Sequence, residues 1–271
     1  MPALAMPMPL CLFLAFFLSA AMPVLGQAPE KKEDEPKKAD RHVRFLPVGD
    51  LPPFRQEIRN GIAYELEPPA GSIPPREVVL GSGDDSKLSA PLLLGQVTEP
   101  FKVPAGKGPL TVRRKGDDEK SVPWLQLDRP EEGDFIVLLW RDPVEKSWAA
   151  TRSLVLPEDL ESAPPGTVRF INISPVTVGV VFGAEKLELL AGKSFRRKLE
   201  IGKDTPFELG ANAVAGGLKR FYSGSLFQND SERSVAIIYR ADGVDPRLPL
   251  KAIVLREPVE LPAKKDKKAP K

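Results

Sequence analysis

The chain has 271 residues but only one cysteine and one histidine. The cysteine, Cys11, lies inside an N-terminal apolar run, and beyond it there is none. Thiol nucleophiles, iron–sulfur clusters and thiolate zinc sites are thereby excluded from the rest of the chain. With His42 alone, no histidine-based triad, dyad or zinc cluster can be assembled. No disulfide braces the fold, so its apolar core must suffice. No phosphate-binding loop or dinucleotide fingerprint occurs, because Ala215-Gly216-Gly217-Leu218 lacks both the spacing and a following helix. Charge of one sign is also missing: 39 basic and 37 acidic residues leave a net +2. No whole-molecule field draws such a chain to nucleic acid or to a membrane. No cofactor and no nucleic-acid partner are implied.

The N-terminus has its own character. Residues 1–26 carry no charged side chain, and Leu10 to Ala21 is almost unbroken apolar sequence. Val24 and Gly26 occupy the −3 and −1 positions of a cut before Gln27, with Ser19 and Ala21 offering a second cut. The segment lacks the usual early Lys or Arg. The run is also short for a span of about 20 residues, and Pro7, Pro9 and Pro23 sit at its edges. A signal peptide over 1–26 is therefore expected rather than a retained anchor, with a periplasmic or secreted product and no membrane span after cleavage. Met8-Pro9-Leu10 before Cys11 is not a lipobox. Residues 27–42 alternate Glu, Lys, Asp and Pro, the composition of a disordered charged linker. Residues 259–271, with Lys264, Lys265, Lys267, Lys268 and Lys271, read as a disordered basic tail.

Between these ends, short apolar runs are cut by Gly and Pro, the pattern of an all-β protein. Thirty prolines argue against long helices. Asn60-Gly61 suits a tight type I′ hairpin before Ile62, Tyr64 and Leu66. Phe135 to Trp140 is continuously apolar, as in a strand covered on both faces, and Arg141-Asp142-Pro143 turns the chain into a returning strand.

The chain also repeats itself. Val43-Arg44-Phe45 recurs as Val168-Arg169-Phe170, and Ala105-Gly106-Lys107 as Ala191-Gly192-Lys193. Phe135 to Arg141 is answered by Ser234 to Arg240, and Leu154 to Glu158 by Ile253 to Glu257. Trp140 and Tyr239 are 99 residues apart, as are Leu156 and Leu255. Phe45 and Phe170 are 125 apart but Gly106 and Gly192 only 86, so the first copy holds 39 extra residues before its Ala-Gly-Lys turn. These are expected near Pro68 to Gln96 as a long insertion. The reading is of two tandem Ig-like β-sandwich domains, over 43–160 and 166–258, each long enough to bury a core.

Val168-Arg169-Phe170-Ile171-Asn172-Ile173-Ser174-Pro175 resembles the opening of the Ig-like modules of unknown function in secreted bacterial proteins. Leu190-Ala191-Gly192-Lys193 is similar to the turn by which such modules enter a later strand, a feature shared with alginate acetylation accessory proteins. The resemblance covers mainly 168–255 and implies a fold, with Asn-x-Ser-Pro as a structural strand end. The first domain departs from it, with Leu46 to Asp50 in place of that motif. The whole chain resembles uncharacterised secreted proteins with two such domains, which bring no family chemistry.

Carboxylates are the one catalytic type in supply. Asp84-Asp85, Asp117-Asp118-Glu119 and Glu131-Glu132 with Asp134 sit in turn-like polar stretches, where solvated loops are the simpler reading. None follows the alternating calcium-loop pattern. Among aromatics, Trp140 and Tyr239 match in the repeat and read as packing. Trp124 and Trp148, beside turns, and Phe221-Tyr222, after Lys219-Arg220, are the candidate contact residues. Strand alternation turns one of Phe221 and Tyr222 inward. No catalytic residue is assigned. The expectation is a non-catalytic binding or structural module of the bacterial envelope, meeting a protein or polysaccharide through the 68–96 segment, the Ala211 to Gly217 loop or an edge strand. A carboxylate-based carbohydrate-active or polymer-modifying enzyme and a self-assembling envelope component are the alternatives.

Overall fold

In the computed structural model, residues 41–259 are described, apart from 82–87, 104–107, 119, 213–216 and 243–248. The expected signal peptide, nearly all of the linker and residues 260–271 lie outside the described residues. Eighteen strands follow one another with no helix among the described residues. The first sandwich comprises β1 (Arg41–Val48), β4 (Glu77–Gly81), β5 (Leu88–Pro91), β6 (Phe101–Val103), β7 (Pro109–Arg114), β8 (Leu125–Asp128), β9 (Phe135–Arg141) and β10 (Thr151–Pro157). Between β1 and β4 it carries a separate hairpin, β2 (Gln56–Arg59) and β3 (Ile62–Glu65). The second sandwich comprises β11 (Thr167–Asn172), β12 (Val178–Phe182), β13 (Glu185–Leu189), β14 (Ser194–Lys198), β15 (Asp204–Asn212), β16 (Leu218–Phe227), β17 (Glu232–Arg240) and β18 (Leu250–Pro258). Arg41 and His42 open β1, so the linker predicted to reach residue 42 gives way to a strand two residues earlier.

The strand orders make the duplication explicit. One sheet runs β10-β9-β1-β6 and its counterpart runs β18-β17-β11-β14; the other pair runs β5-β4-β7-β8 and β13-β12-β15-β16. Each domain's first strand lies parallel to its penultimate one, β1 to β9 and β11 to β17. The predicted insertion at 68–96 is corrected by this order. Residues 77–81 and 88–91 are β4 and β5, the counterparts of β12 and β13. The added element lies upstream, in the 28 residues between β1 and β4 where the second domain has five between β11 and β12. Pro, Gly and Ser around the β4–β5 hairpin give that stretch the composition of a loop. The Asn60-Gly61 turn is as expected, with φ of 51° and 79°, the left-handed values of a type I′ turn.

Period-two alternation then builds three apolar layers. In β1, Val43 and Phe45 point into the first sandwich, with Val137 and Leu139 of β9 and Val78 and Leu110 of the facing sheet. Val168, Phe170, Ala236 and Ile238 do the same in the second, against Val180 and Phe207. The alternate residues of the same strands, Leu46, Leu138, Ile171 and Ile237, form a third cluster between the two domains. The two sandwiches thus contribute four stacked sheets, the inner two packed face to face. The continuous apolar run at Phe135–Trp140 has its physical cause here: one face serves its own sandwich, the other the neighbouring domain.

Candidate binding cleft at the domain seam

The seam is apolar in its middle and charged at both ends. At the end where β1 and β17 begin, Arg44 reaches Glu158 of its own domain and Glu257 of the other. Its Nε and Nη2 donate to the Glu158 carboxylate, while Nη1 and Nη2 donate to Glu257 at 2.9 and 2.8 Å. Arg233 returns the exchange, donating from Nη2 to Glu158 Oε1 at 2.8 Å and from Nη1 to the Glu158 carbonyl at 2.8 Å. Each domain therefore supplies an arginine to the other's glutamate. Burial alone lowers the Arg44 pKa, but hydrogen bonds to Glu257 and Glu158 more than reverse this and hold it above its ordinary value.

At the opposite end, the C-terminal ends of β1, β9 and β17 meet. Asp50 and Asp242 clasp one another through backbone bonds. Asp50 N–H donates to Asp242 Oδ1 at 2.7 Å, and Asp242 N–H donates to Asp50 Oδ2 at 3.1 Å. Lys251 Nζ lies 2.7 Å from Asp50 and Arg141 Nε 3.1 Å from Asp242, both across the seam. The Tyr239 hydroxyl donates to Asp50 Oδ1 at 3.4 Å. Gly49 permits the approach, since a Cβ there would stand 3.3 Å from Asp242 Oδ2. Burial, then the Asp50 and Asp242 charges, push the Tyr239 hydroxyl up. Burial also pushes the Asp242 carboxyl up, opposed by the Asp50 N–H and Arg141.

Beside this clasp opens a cleft of about 510 Å³. Its apolar wall is formed by Trp140, Ile173 and Tyr239, its charged wall by Arg141, Lys146 and Arg240 with Asp142 and Asp242. The acidic groups are engaged within the protein. Asp242 holds Arg141, and Asp142 accepts from Arg152 Nε at 2.6 Å and from the N–H groups of Val144 and Glu145. Those bonds hold the Asp142 carboxyl below the usual range, the Arg152 bond contributing most. The same turn puts Lys146 in the left-handed region, φ 50°, at the cleft mouth. Arg240 and Lys146 are exposed and have no carboxylate partner among the described residues. Two cations unpaired among the described residues, beside a half-buried indole, make a surface for an anionic group carried on an apolar or planar frame. Among the described residues, no three His, Cys, Asp or Glu side chains converge as metal ligands.

The aromatics singled out from the sequence lie elsewhere. Trp124 and Trp148 are not surface contacts but core, 8% and 2% exposed. The Trp124 indole N–H donates to the Trp148 carbonyl at 2.9 Å, and the Trp148 backbone N–H to the Gly71 carbonyl at 2.8 Å. Proximity to a turn placed them outside on paper; the turn instead folds its tryptophan back over the first core. Phe221 and Tyr222 both pack, half-buried, on the second core. Strict alternation fails because the β15–β16 register slips between Leu209 and Gly210, pairing these with Tyr222 and Arg220 and leaving Phe221 as the extra residue of a bulge. Tyr222 stacks on Phe207 with ring centroids 5.2 Å apart. Of the Ala211–Gly217 loop, 213–216 lie outside the described residues. Asn172 is structural as expected: its amide donates to the Val176 and Leu189 carbonyls and its oxygen accepts from Ser174.

Sequence reasoning passed over Arg240, Lys146 and the clasp residues. One signal for them was present, since Arg141 and Arg240 share the 99-residue offset of Trp140 and Tyr239. Compared with known proteins, the chain matches no family model and no curated protein.

Proposed function

We propose that the chain is an exported, non-catalytic binding module of the bacterial envelope, acting in the periplasm or outside the cell. In this reading the seam cleft holds an anionic segment of an envelope polymer. The observation that carries it is the pairing of Arg240 and Lys146, free of carboxylate partners among the described residues, with the Trp140–Tyr239 wall. Support comes also from the cleft's position, built by the β9–β10 turn and the ends of β1 and β17, because sandwiches bind through the loops at one end. The N-terminal apolar segment and the resemblance to secreted two-domain proteins point to export. Asp142 and Asp242, the carboxylates in the cleft, are held by Arg152 and Arg141 and act here as braces rather than as an acid–base pair.

Calorimetric titration with a uronate oligosaccharide and with its neutral counterpart tests the reading. Binding of the charged ligand alone is expected, weakening with salt and falling about tenfold in Arg240→Ala and again in Lys146→Ala. Equal binding of both sugars, or of neither, would sink it.

A further inference from the structure

Among the described residues, five of the fourteen large apolar side chains left exposed fall close together in sequence, and the other nine are scattered. Leu51, Phe54, Ile58, Ile62 and Tyr64, each 48% to 73% exposed, fall within fourteen consecutive residues of the arm between β1 and β4. The arm ends in the β2–β3 hairpin, a two-stranded sheet whose residues are all exposed and whose two edges are unpaired. A bare hairpin of this size is marginal in water, and exposed apolar clusters of this kind mark interaction surfaces.

The edge of β2 has a specific geometry. Residues pair Gln56↔Glu65, Glu57↔Tyr64, Ile58↔Ala63 and Arg59↔Ile62, and the Leu66 N–H donates to the Arg55 carbonyl at 2.9 Å. Backbone groups alternate along an antiparallel strand, so Arg55, Glu57 and Arg59 direct theirs toward β3. Gln56 and Ile58 direct theirs outward. A two-fold axis through Ile58 would let its N–H and C=O exchange two bonds with the same residue of a second copy. Glu57 of each chain then stands opposite Arg59 of the other, in the non-hydrogen-bonded positions where side chains come closest. The Glu-Ile-Arg segment is thus complementary to itself in backbone, apolar and charge terms. On the β3 edge, pairing about the outward-directed Ala63 would set Ile62 opposite Tyr64 with no complementary charges, and pairing about Glu65 would oppose two carboxylates.

We infer that two copies of the chain associate by antiparallel pairing of β2, forming a continuous four-stranded sheet from their two hairpins. The pairing covers an edge that is otherwise open to indiscriminate strand addition. It is independent of the cleft, which lies on the seam.

Sedimentation velocity of the full chain, produced with its own N-terminal segment, tests the inference over a wide concentration range. So small a contact predicts a weak dimer, with Kd on the order of 10–100 μM. Glu57→Arg sets like charges against each other twice and is expected to weaken the dimer about tenfold or more. Adding Arg59→Glu restores opposite charges in reversed order and is expected to bring the dimer back. Both positions are exposed, so circular dichroism should not change. A chain that stays monomeric throughout, a dimer indifferent to Glu57→Arg, or a double variant that fails to recover would each overturn the inference.

Discussion

The two sandwiches share eight strands in one order, yet only the first carries an arm, and only the first has its repeat arginine fully paired. Arg44 and Arg169 occupy matching places in the Val-Arg-Phe repeat; Arg44 bridges the seam to Glu257, and Arg169 lines the seam beside Ile171 and Ile237. Arg44 takes both glutamates of the seam. Arg169 has no carboxylate partner among the described residues; its nearest acceptor is Ser194 Oγ at 3.4 Å. Burial, and after it the charge of Arg196, lowers the Arg169 guanidinium below its ordinary value. Duplication has preserved the apolar framework and let the charges diverge. Packing tolerates little change in shape, whereas a charge at a domain boundary needs only one satisfactory arrangement.

The largest test of equivalence is in the cores. Phe45→Ala and Phe170→Ala remove matching, fully buried rings, and each is expected to cost about 3–5 kcal/mol in urea unfolding. Trp124 and Trp148 are buried in the first core while Trp140 lies on the seam, so in a Trp140→Phe background fluorescence reports the first sandwich and circular dichroism reports both. If the apolar seam couples the domains, Phe170→Ala must also lower the fluorescence midpoint. A fluorescence transition unmoved by Phe170→Ala would show that the seam transmits nothing.

The matched arginines separate more sharply. Arg44→Met leaves two largely buried carboxylates with Arg233 as their only remaining guanidinium among the described residues, and a loss of about 3 kcal/mol is expected. Arg169→Met removes a half-buried charge that sits beside Arg196 and has no acid to answer it among the described residues. That change is expected to be neutral or to raise the midpoint. Equal losses in the two variants would mean that the repeat, and not the ion pairs, sets the value of these positions.

The same contrasts divide what local sequence determines from what only the packed fold determines. The hairpins, the Asn60-Gly61 turn and the structural role of Asn172 follow from local chemistry that four to eight residues carry. The apolar face on both sides of Phe135–Trp140 said that something covers it, but not that the cover is the other domain. The cleft was illegible for that reason. Trp140 and Lys146 meet Ile173 and Arg240 only once two sheets far apart in sequence have packed. Trp124 and Trp148 misled because a neighbouring turn says where the backbone reverses, not where an indole goes. The repeat offsets assigned extra residues to the first domain, but their count of 39 matched two Ala-Gly-Lys segments that are not equivalent, since 105–107 follow β6 while 191–193 precede its counterpart β14. Composition then drew the extra residues toward the Pro- and Gly-rich β4–β5 hairpin.

The arm gives the smallest effect on stability and the cleanest separation of shared from added structure. Every residue of β2 and β3 is exposed, and no apolar cluster of either sandwich or of the seam includes one. Replacing Gln56–Glu65 by a short Gly-Ser turn removes no core contact and is expected to move the unfolding free energy by no more than about 0.5 kcal/mol. Shortening the loop changes closure entropy by a similar or smaller amount. Arm and framework are then separable: sandwich stability stays while association through β2 disappears. A loss of several kcal/mol on this replacement would place the hairpin in the fold itself, and the difference between the two domains would become one of construction rather than of attachment.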